Sequence, residues 1–260
     1  MYRRLGRDSD MEKDALLEKR IQELARLADR RGCVTFTDFL NLNEQNILHQ
    51  TLQKFSWIKG ETFGGYEGAE RCIAAFFPET LYGDWNYPIA CIRIEPVNQR
   101  FAEALSHRDI LGALMNLGID RAKTGDITLG EDHAYLFCQE SLASLICEEL
   151  LRIRHTSVRC VVCDPGDFSY EPKTETVRGS VASIRLDALM ALAFQSSRNS
   201  LLSLIGDGKV FVNGKLITTN AYTPKSGDLI SVRGMGKFRY MDTAGHTKKG
   251  RCMAVIEKFI

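Results

Sequence analysis

Apolar residues recur every three or four positions between Glu12 and Arg30, at Leu16, Leu17, Ile21, Leu24, Leu27 and Ala28. This spacing predicts an amphipathic helix, with Gly32 as its stop. Val34 to Leu40 predicts a short strand. Asn43 is the expected cap of a second helix reaching about Lys54, with Ile47, Leu48 and Leu52 on one face. Trp57 to Phe63 reads as extended, Gly64-Gly65 breaks the chain, and Cys72 to Phe77 is an apolar run of strand length. Residues 1–82 therefore read as an α/β domain.

A second pattern occupies residues 83–164. Ile89 to Val97 predicts a strand. Ser106 to Leu117 predicts a helix with a capping-box start, because Asp109 follows Ser106 by three positions, and Gly118 ends it. Asp126 to Leu129 and Ala134 to Cys138 predict a hairpin across Gly130-Glu131-Asp132-His133. Ser141 is the expected cap of a helix to about Ile153, and Val158 to Cys163 is the last strand. The order is βαββαβ, a ferredoxin-like (RRM-like) layer of two helices on an antiparallel sheet. RNA-recognition modules and many enzymes share it, so topology assigns no function. Residues 165–179, opened by Asp164-Pro165-Gly166, read as a polar linker.

Residues 180–260 form the third block. Ser183 is the expected cap of a helix from Ile184 through Leu192, and Ser197 the cap of a second from Arg198 to Ile205, ended by Gly206 and Gly208. Lys209 to Val212 then alternates as a strand. Asn213-Gly214 is a hairpin signal, since both residues tolerate the positive φ of a type I′ turn. Lys215 to Thr218 returns, and Ser226 to Gly234 gives a turn and another strand. The class is α+β, with three small domains.

The 260 residues are 44% hydrophobic, enough for real cores. No apolar run is long enough to span a membrane, and no apolar stretch follows Met1 to act as a secretory signal, so a cytoplasmic protein is expected. The 8 cysteines lie scattered in apolar stretches and read as buried free thiols. Cys160 and Cys163 have redox-motif spacing but sit in a strand-like run with no second pair, so the expected role is structural and no metal or cofactor is expected. The net charge of +1 hides a split: residues 178–260 carry 13 Lys and Arg against 5 Asp and Glu, a surplus of +8, while residues 1–177 carry 21 against 28. A basic module on an acidic body points to a polyanionic partner, although a merely solvated basic face has the same composition.

Ordered punctuation sharpens this reading. Arg185-Leu186-Asp187, Ser197-Arg198, Ile205-Gly206-Asp207-Gly208-Lys209-Val210, Val212-Asn213-Gly214-Lys215, Gly227-Asp228 and Val232-Arg233-Gly234 together resemble the RNA-binding domain of small-subunit ribosomal protein S-four, the αL motif. Arg185, Arg198, Asn199 and Ser200 stand near the starts of two short helices, where backbone N–H groups attract phosphate and arginine adds a two-pronged fork. Lys209, Asn213 and Lys215 lie on the hairpin, and Arg233, Lys237 and Arg239 are expected to extend the patch. Upstream, Gly64 to Arg71 (GGYEGAER), His107 to Ile119 (HRDILGALMNLGI) and Gly125-Asp126-Ile127 resemble the YlmH family of bacterial proteins. That resemblance covers nearly the whole chain. It implies an N-terminal domain, a ferredoxin-like middle domain that binds RNA, and a C-terminal S-four domain. It further implies rRNA binding on the large ribosomal subunit, with tRNA as a further contact, in rescue of stalled subunits, and a genetic neighbourhood with cell-division proteins.

Arg108, Arg121 and Lys123 are secondary candidates for RNA contact, with a structural role equally open. His107-Arg108-Asp109 matches a kinase triplet, but no glycine-rich loop or magnesium motif accompanies it, and helix capping accounts for Asp109. Arg185-Leu186-Asp187 resembles the aspartate motif of pseudouridine synthases, yet here it opens the RNA-binding helix itself. No histidine pair has zinc spacing and none meets an obvious nucleophile. The expectation is a monomeric, non-catalytic RNA-binding protein without a small-molecule substrate or membrane partner. The alternatives are an RNA-modifying enzyme targeted by its S-four domain and a cell-division adaptor.

Overall fold

A computed structural model describes residues 2–54, 58–81, 84–164, 168, 173–247 and 250–260, without the side chains of residues 2–11, 58, 101, 198 and 246. The chain divides into two compact units, Met1–Tyr170 and Glu171–Ile260.

The first unit opens with α1 (Tyr2–Arg31), β1 (Thr35–Leu40), α2 (Leu42–Leu52), β2 (Ile58–Phe63) and β3 (Cys72–Pro78). The strands form an antiparallel sheet in the order β1-β3-β2. Ile21, Leu24, Ala25 and Ala28 of α1 are buried with Leu48 of α2 and Phe76 of β3, as the helical spacing predicts. The cap of α2 is Asn41, two residues before the expected Asn43. Asn41 is extended, its side chain accepts from the Asn43 and Glu44 amides, and Glu44 reaches back to its amide at 2.7 Å. That reciprocal box satisfies helix-end donors that Asn43, already inside the first turn, cannot reach. Trp57, the expected start of the following extended stretch, lies outside the described residues.

The same unit continues with β4 (Ile89–Pro96), α3 (His107–Asn116), β5 (Thr124–Leu129), β6 (Ala134–Gln139), α4 (Ala143–Glu149), β7 (Arg152–Ile153) and β8 (Thr156–Val162). The sheet order is β5-β6-β4-β8-β7 with every pairing antiparallel, which is the ferredoxin-like arrangement plus a short edge strand. Ser106 caps α3 through the expected box with Asp109. The second helix departs from expectation. A 3-10 turn at Glu140–Leu142 precedes it, Leu142 rather than Ser141 takes the cap position, and it stops at Glu149. Leu150 and Ile153 are buried in the core, and Arg154, at φ 53, turns the chain into β8.

One face of this sheet packs Ile92, Ile94, Leu136 and Cys138 against Ile110, Leu114 and Ile146 of the two helices. The other face is covered as well. Phe137 is buried with Phe39 and Ile73 from the first three strands and is stacked on Tyr66, ring centroids 5.0 Å apart. Two of the motif segments meet here. Asp126 accepts hydrogen bonds from the Tyr66 hydroxyl (2.9 Å) and from the Glu70 and Arg71 amides (2.7 and 3.1 Å). The Arg71 guanidinium donates to the carbonyls of Phe39, Arg121 and Thr124. Gly65, at φ +101, and Gly125 let the backbones approach, since a Cβ would lie 2.3 Å from Phe137 and 2.7 Å from Phe39 respectively.

The second unit contains β9 (Thr174–Val181), α5 (Leu186–Phe194), α6 (Arg198–Gly206), β10 (Val210–Val212), β11 (Lys215–Leu216), β12 (Leu229–Val232), β13 (Gly236–His246) and β14 (Cys252–Phe259). They form one antiparallel sheet, β11-β10-β12-β13-β14-β9. Residues 174–179, read from the sequence as linker, are strand: β9 pairs with β14 from Thr174↔Phe259 to Val181↔Cys252. Both helices cover a single sheet face. Leu186, Leu189, Met190, Ala193, Leu201 and Ile205 are buried with Val210, Val212, Ile230, Val232, Phe238, Tyr240, Ala254 and Ile256.

Candidate nucleic-acid interface

The first helix of the C-terminal unit begins two residues later than expected. Arg185, extended at φ −124, holds the cap position, and its amide donates to Ser183 O rather than leaving Ser183 to cap a helix. The Leu186 amide is satisfied by Tyr222 O at 2.8 Å, which ties the helix start to the loop after the hairpin. Arg185 forms a side-on pair with Asp187: Nε donates to Oδ1 at 3.1 Å and Nη2 to Oδ2 at 3.4 Å. The two partners differ sharply in exposure, 40% for the arginine side chain and 7% for the carboxylate. The guanidinium is thus held by a buried anchor with Nη1 left to a ligand, a geometry suited to a phosphate. In a purely stabilising buried pair, both members would be withdrawn from water.

Ser197 caps α6 as the sequence predicts, accepting from the Ser200 amide at 3.3 Å, and Ser200 Oγ returns a bond to Ser197 O at 2.7 Å. Asn199 and Ser200 are exposed in the first turn. The backbone of Arg198 opens the helix, and its side chain lies outside what is described. Lys209, 3.5 Å from Asp207, and Lys215 are both exposed beside the hairpin.

Asn213 holds the turn conformation expected of it, φ 48 followed by Gly214 at φ 75. Its side chain is committed to the protein. Nδ2 donates to Asp228 Oδ1 at 2.8 Å, and Oδ1 accepts from the Leu229 amide at 2.9 Å. Asp228 in turn accepts from the Lys225 amide at 2.7 Å. Asn213 is therefore a clip between the hairpin and the turn before β12.

Arg233, Lys237 and Arg239 do not extend the helix-pair surface. Side chains alternate across a strand, and Val232, Phe238 and Tyr240 point toward the helices. Their neighbours Arg233, Lys237 and Arg239 therefore project from the opposite sheet face. Consistent with this, Arg233 lies 5.2 Å over the ring of Phe211, which alternates with the core residues Val210 and Val212. Lys237 lies 5.0 Å over Phe259. Sequence reasoning missed Arg178 and Phe259 on this face. Arg178 falls in the supposed linker and Phe259 beyond the last strand assigned, although the alternation of Phe238 and Tyr240 with Lys237 and Arg239 is visible in the sequence.

The secondary candidates in the first unit separate in the same way. Arg108 is exposed on α3. Arg121 donates to Thr124 O (2.8 Å), Thr124 Oγ1 (2.6 Å) and Gly125 O (2.9 Å), and burial, followed by the neighbouring charge of Arg71, pulls its pKa down to about 10. Lys123 pairs with Asp38 at 2.7 Å. Arg121 and Lys123 are thus occupied in holding the unit together. Burial, followed by the Arg121 charge, also lowers the pKa of His107. The aromatic sheet face that RRM-type modules offer to bases is closed here by Tyr66, Phe39 and Phe168. Among the described residues no group of three metal-ligating side chains comes together, and no helix is long and apolar enough to cross a membrane.

Three family models match. "YlmH, N-terminal" covers residues 16–79, "Putative RNA-binding domain in YlmH" covers residues 84–165, and "S4 domain" covers residues 184–230. A Bacillus subtilis protein named "Ribosome-associated protein quality control protein P2" is 30% identical over 241 residues, with 91% of each chain covered. A solved structure titled "Cell division protein ylmH from Streptococcus pneumoniae" aligns with a TM-score of 0.49 at 20% identity, over 58% of this chain and 92% of that one.

Proposed function

Because the chain belongs to the YlmH family, we propose that it is a non-catalytic cytoplasmic protein that grips structured RNA on the large ribosomal subunit through the helix pair and hairpin of its C-terminal unit. RNA binding at this coarse level, in association with ribosomes, follows from the RNA-binding domain families and from the name of the Bacillus relative. The finer reading rests above all on Arg185: an arginine at a helix start, tethered by a buried aspartate yet 40% exposed, is a preoriented phosphate fork. Asn199, Ser200, Lys209 and Lys215 supply further exposed donors on the same elements. Arg198 opens the second helix and completes the set. The relative's name supports a part in ribosome-associated protein quality control, and in our reading RNA, with tRNA as a second contact, is the ligand there and turnover is not required.

The test is binding of the purified chain to large ribosomal subunits by sedimentation across a salt series. Removing one arginine–phosphate pair should reduce the salt slope by about one. Combined Arg185→Ala and Arg198→Ala should weaken binding at least ~10-fold, with the unit still folded but its melting temperature lowered, because the buried Asp187 carboxylate loses its partner. Full binding by the folded double variant sinks this reading. Mass analysis of the RNA after incubation should show no altered nucleotide; a modified base would replace the binding role with an enzymatic one.

A further inference from the structure

The outer face of the C-terminal sheet carries its own chemistry. Alternation with the core residues places Thr174, Thr176, Arg178 and Ser180 of β9 on this face, because Val177 and Gly179 point toward the helices. The same argument places Glu257 and Phe259 of β14, Lys237 and Arg239 of β13, and Ser231 of β12 there. Arg178, Arg233, Lys237 and Arg239 are the strand-borne and stacked cations, and alternation puts two carboxylates among them, Glu257 opposite Arg239 and Asp242 opposite Val255. Arg178 and Arg233 are exposed, while Lys237, Arg239 and Phe259 are half-buried. None of the four cations lies within the residues that match the S-four model, 184–230. The surface is built mainly by β9, β13 and β14, which flank that match.

We propose that this outer face is a second RNA-binding surface, taking an unpaired RNA strand across Arg178, Arg233, Lys237, Arg239 and Phe259. Neighbouring strands stand ~4.8 Å apart, so cations on β9 and β13, with β14 between them, stand ~10 Å apart and can meet separate, non-adjacent backbone charges of an extended chain. The Arg233 guanidinium sits 5.2 Å from the centre of the Phe211 ring, and an exposed guanidinium backed by an aromatic ring can offer its other side to a base. Phe259 gives a ring at the far end, with the Lys237 ammonium above it. The exposed Thr174, Thr176 and Ser180 hydroxyls flanking Arg178 on β9 suit sugar and phosphate oxygens. An aromatic ring and a ring-backed guanidinium on a sheet face favour an unpaired strand, since single strands are recognised by stacking on such sheets. The inference shares the premise that this unit binds RNA, but it does not need the helix pair to be the site.

The probe is a fluorescein-labelled oligouridylate, read by anisotropy with the full chain at low salt. Arg178→Glu combined with Arg239→Glu should lower oligouridylate affinity at least ~10-fold, and Phe259→Ala about threefold. Arg178→Gln, a milder change at an exposed position, should lower it about threefold and decides the matter if the charge reversal unfolds the unit. The helix-pair variant Arg185→Ala should lose less than the sheet variants. Unchanged oligouridylate affinity in the folded sheet variants overturns the proposal, as does an equal loss caused by Arg185→Ala. Failure of the helix-pair variant to weaken large-subunit binding would instead overturn the proposed function and leave this face standing.

Discussion

The five-stranded and six-stranded antiparallel sheets each carry two helices on one face, and they differ in what becomes of the other. In the middle of the chain that face is aromatic. Phe137 and Tyr135 are almost wholly buried, beneath Tyr66 and Phe168, and glycines at 65 and 125 remove the Cβ atoms that would hold the backbones apart. In the C-terminal unit the equivalent face carries arginine, lysine, serine and threonine, and its two rings, Phe211 and Phe259, each lie under a cation. The same layer architecture thus serves cohesion in one place and offers a charged surface in the other. Topology therefore says little about ligand binding until the composition of both faces is known.

The contrast can be broken most severely at its closed end. Gly65→Ala adds a Cβ 2.3 Å from Phe137 at φ +101, so both overpacking and left-handed strain apply. The expected loss is about 3 kcal/mol for the first unit, read as an earlier first transition in urea unfolding. A variant as stable as the parent would show that the aromatic face tolerates opening.

A smaller effect should come from the hairpin clip. Asn213→Ala removes two hydrogen bonds at a position with φ 48, and should destabilise the C-terminal unit by about 2 kcal/mol. Asn213→Gly, which keeps the turn but not the clip, should recover part of that loss. If Asn213→Ala leaves stability intact and lowers RNA affinity instead, the residue belongs to the ligand surface.

Asp187→Asn should affect binding more than folding. It keeps the shape of the buried anchor but removes the charge that orients Arg185. Affinity for large subunits should fall roughly threefold, about 0.7 kcal/mol, and an unchanged affinity would remove orientation from the account.

The smallest expected difference is in alkaline behaviour. Burial, followed by the influence of Cys147, pushes the Cys138 and Cys160 thiols up from 9.0 to about 12. The unfolded chain then releases these protons at a lower pH than the folded one. The stability they confer is complete below the ordinary thiol value and fades as pH rises through the window from 9.0 to about 12. The first unit should soften there, and both thiols should resist alkylation at neutral pH while exposed Cys33 reacts. Early labelling of Cys138 would contradict the packing.

Much of this molecule is legible in its sequence where local chemistry decides the outcome. Ser106 with Asp109, Ser197, and Asn213-Gly214 act within a few residues, and each does locally what its residue type predicts. The strand β9 is hidden because only Val177, Gly179 and Val181 face the core, so its threonines and arginine look like linker. Asn41 and Asn43 are both able to cap, and only the reach of Glu44 chooses between them. The abundance of cations in the last third of the chain is plain from residue types, but their division between two faces depends on strand register. Arg121 and Lys123 illustrate the remaining difficulty: their partners are a carbonyl cage and Asp38, neither of which a basic residue type announces.

The pairing of β9 with β14 joins the two ends of the C-terminal unit, with Thr174 opposite Phe259 and the Ile260 amide bonded to Lys173 O. A segment whose entry and exit are stitched side by side is a natural cassette: it can be cut out, transplanted, or re-opened at another loop without untying its interior. Any such excision must start upstream of Thr174, since a cut at residue 180 would strip away the border strand and leave a sticky seam along β14.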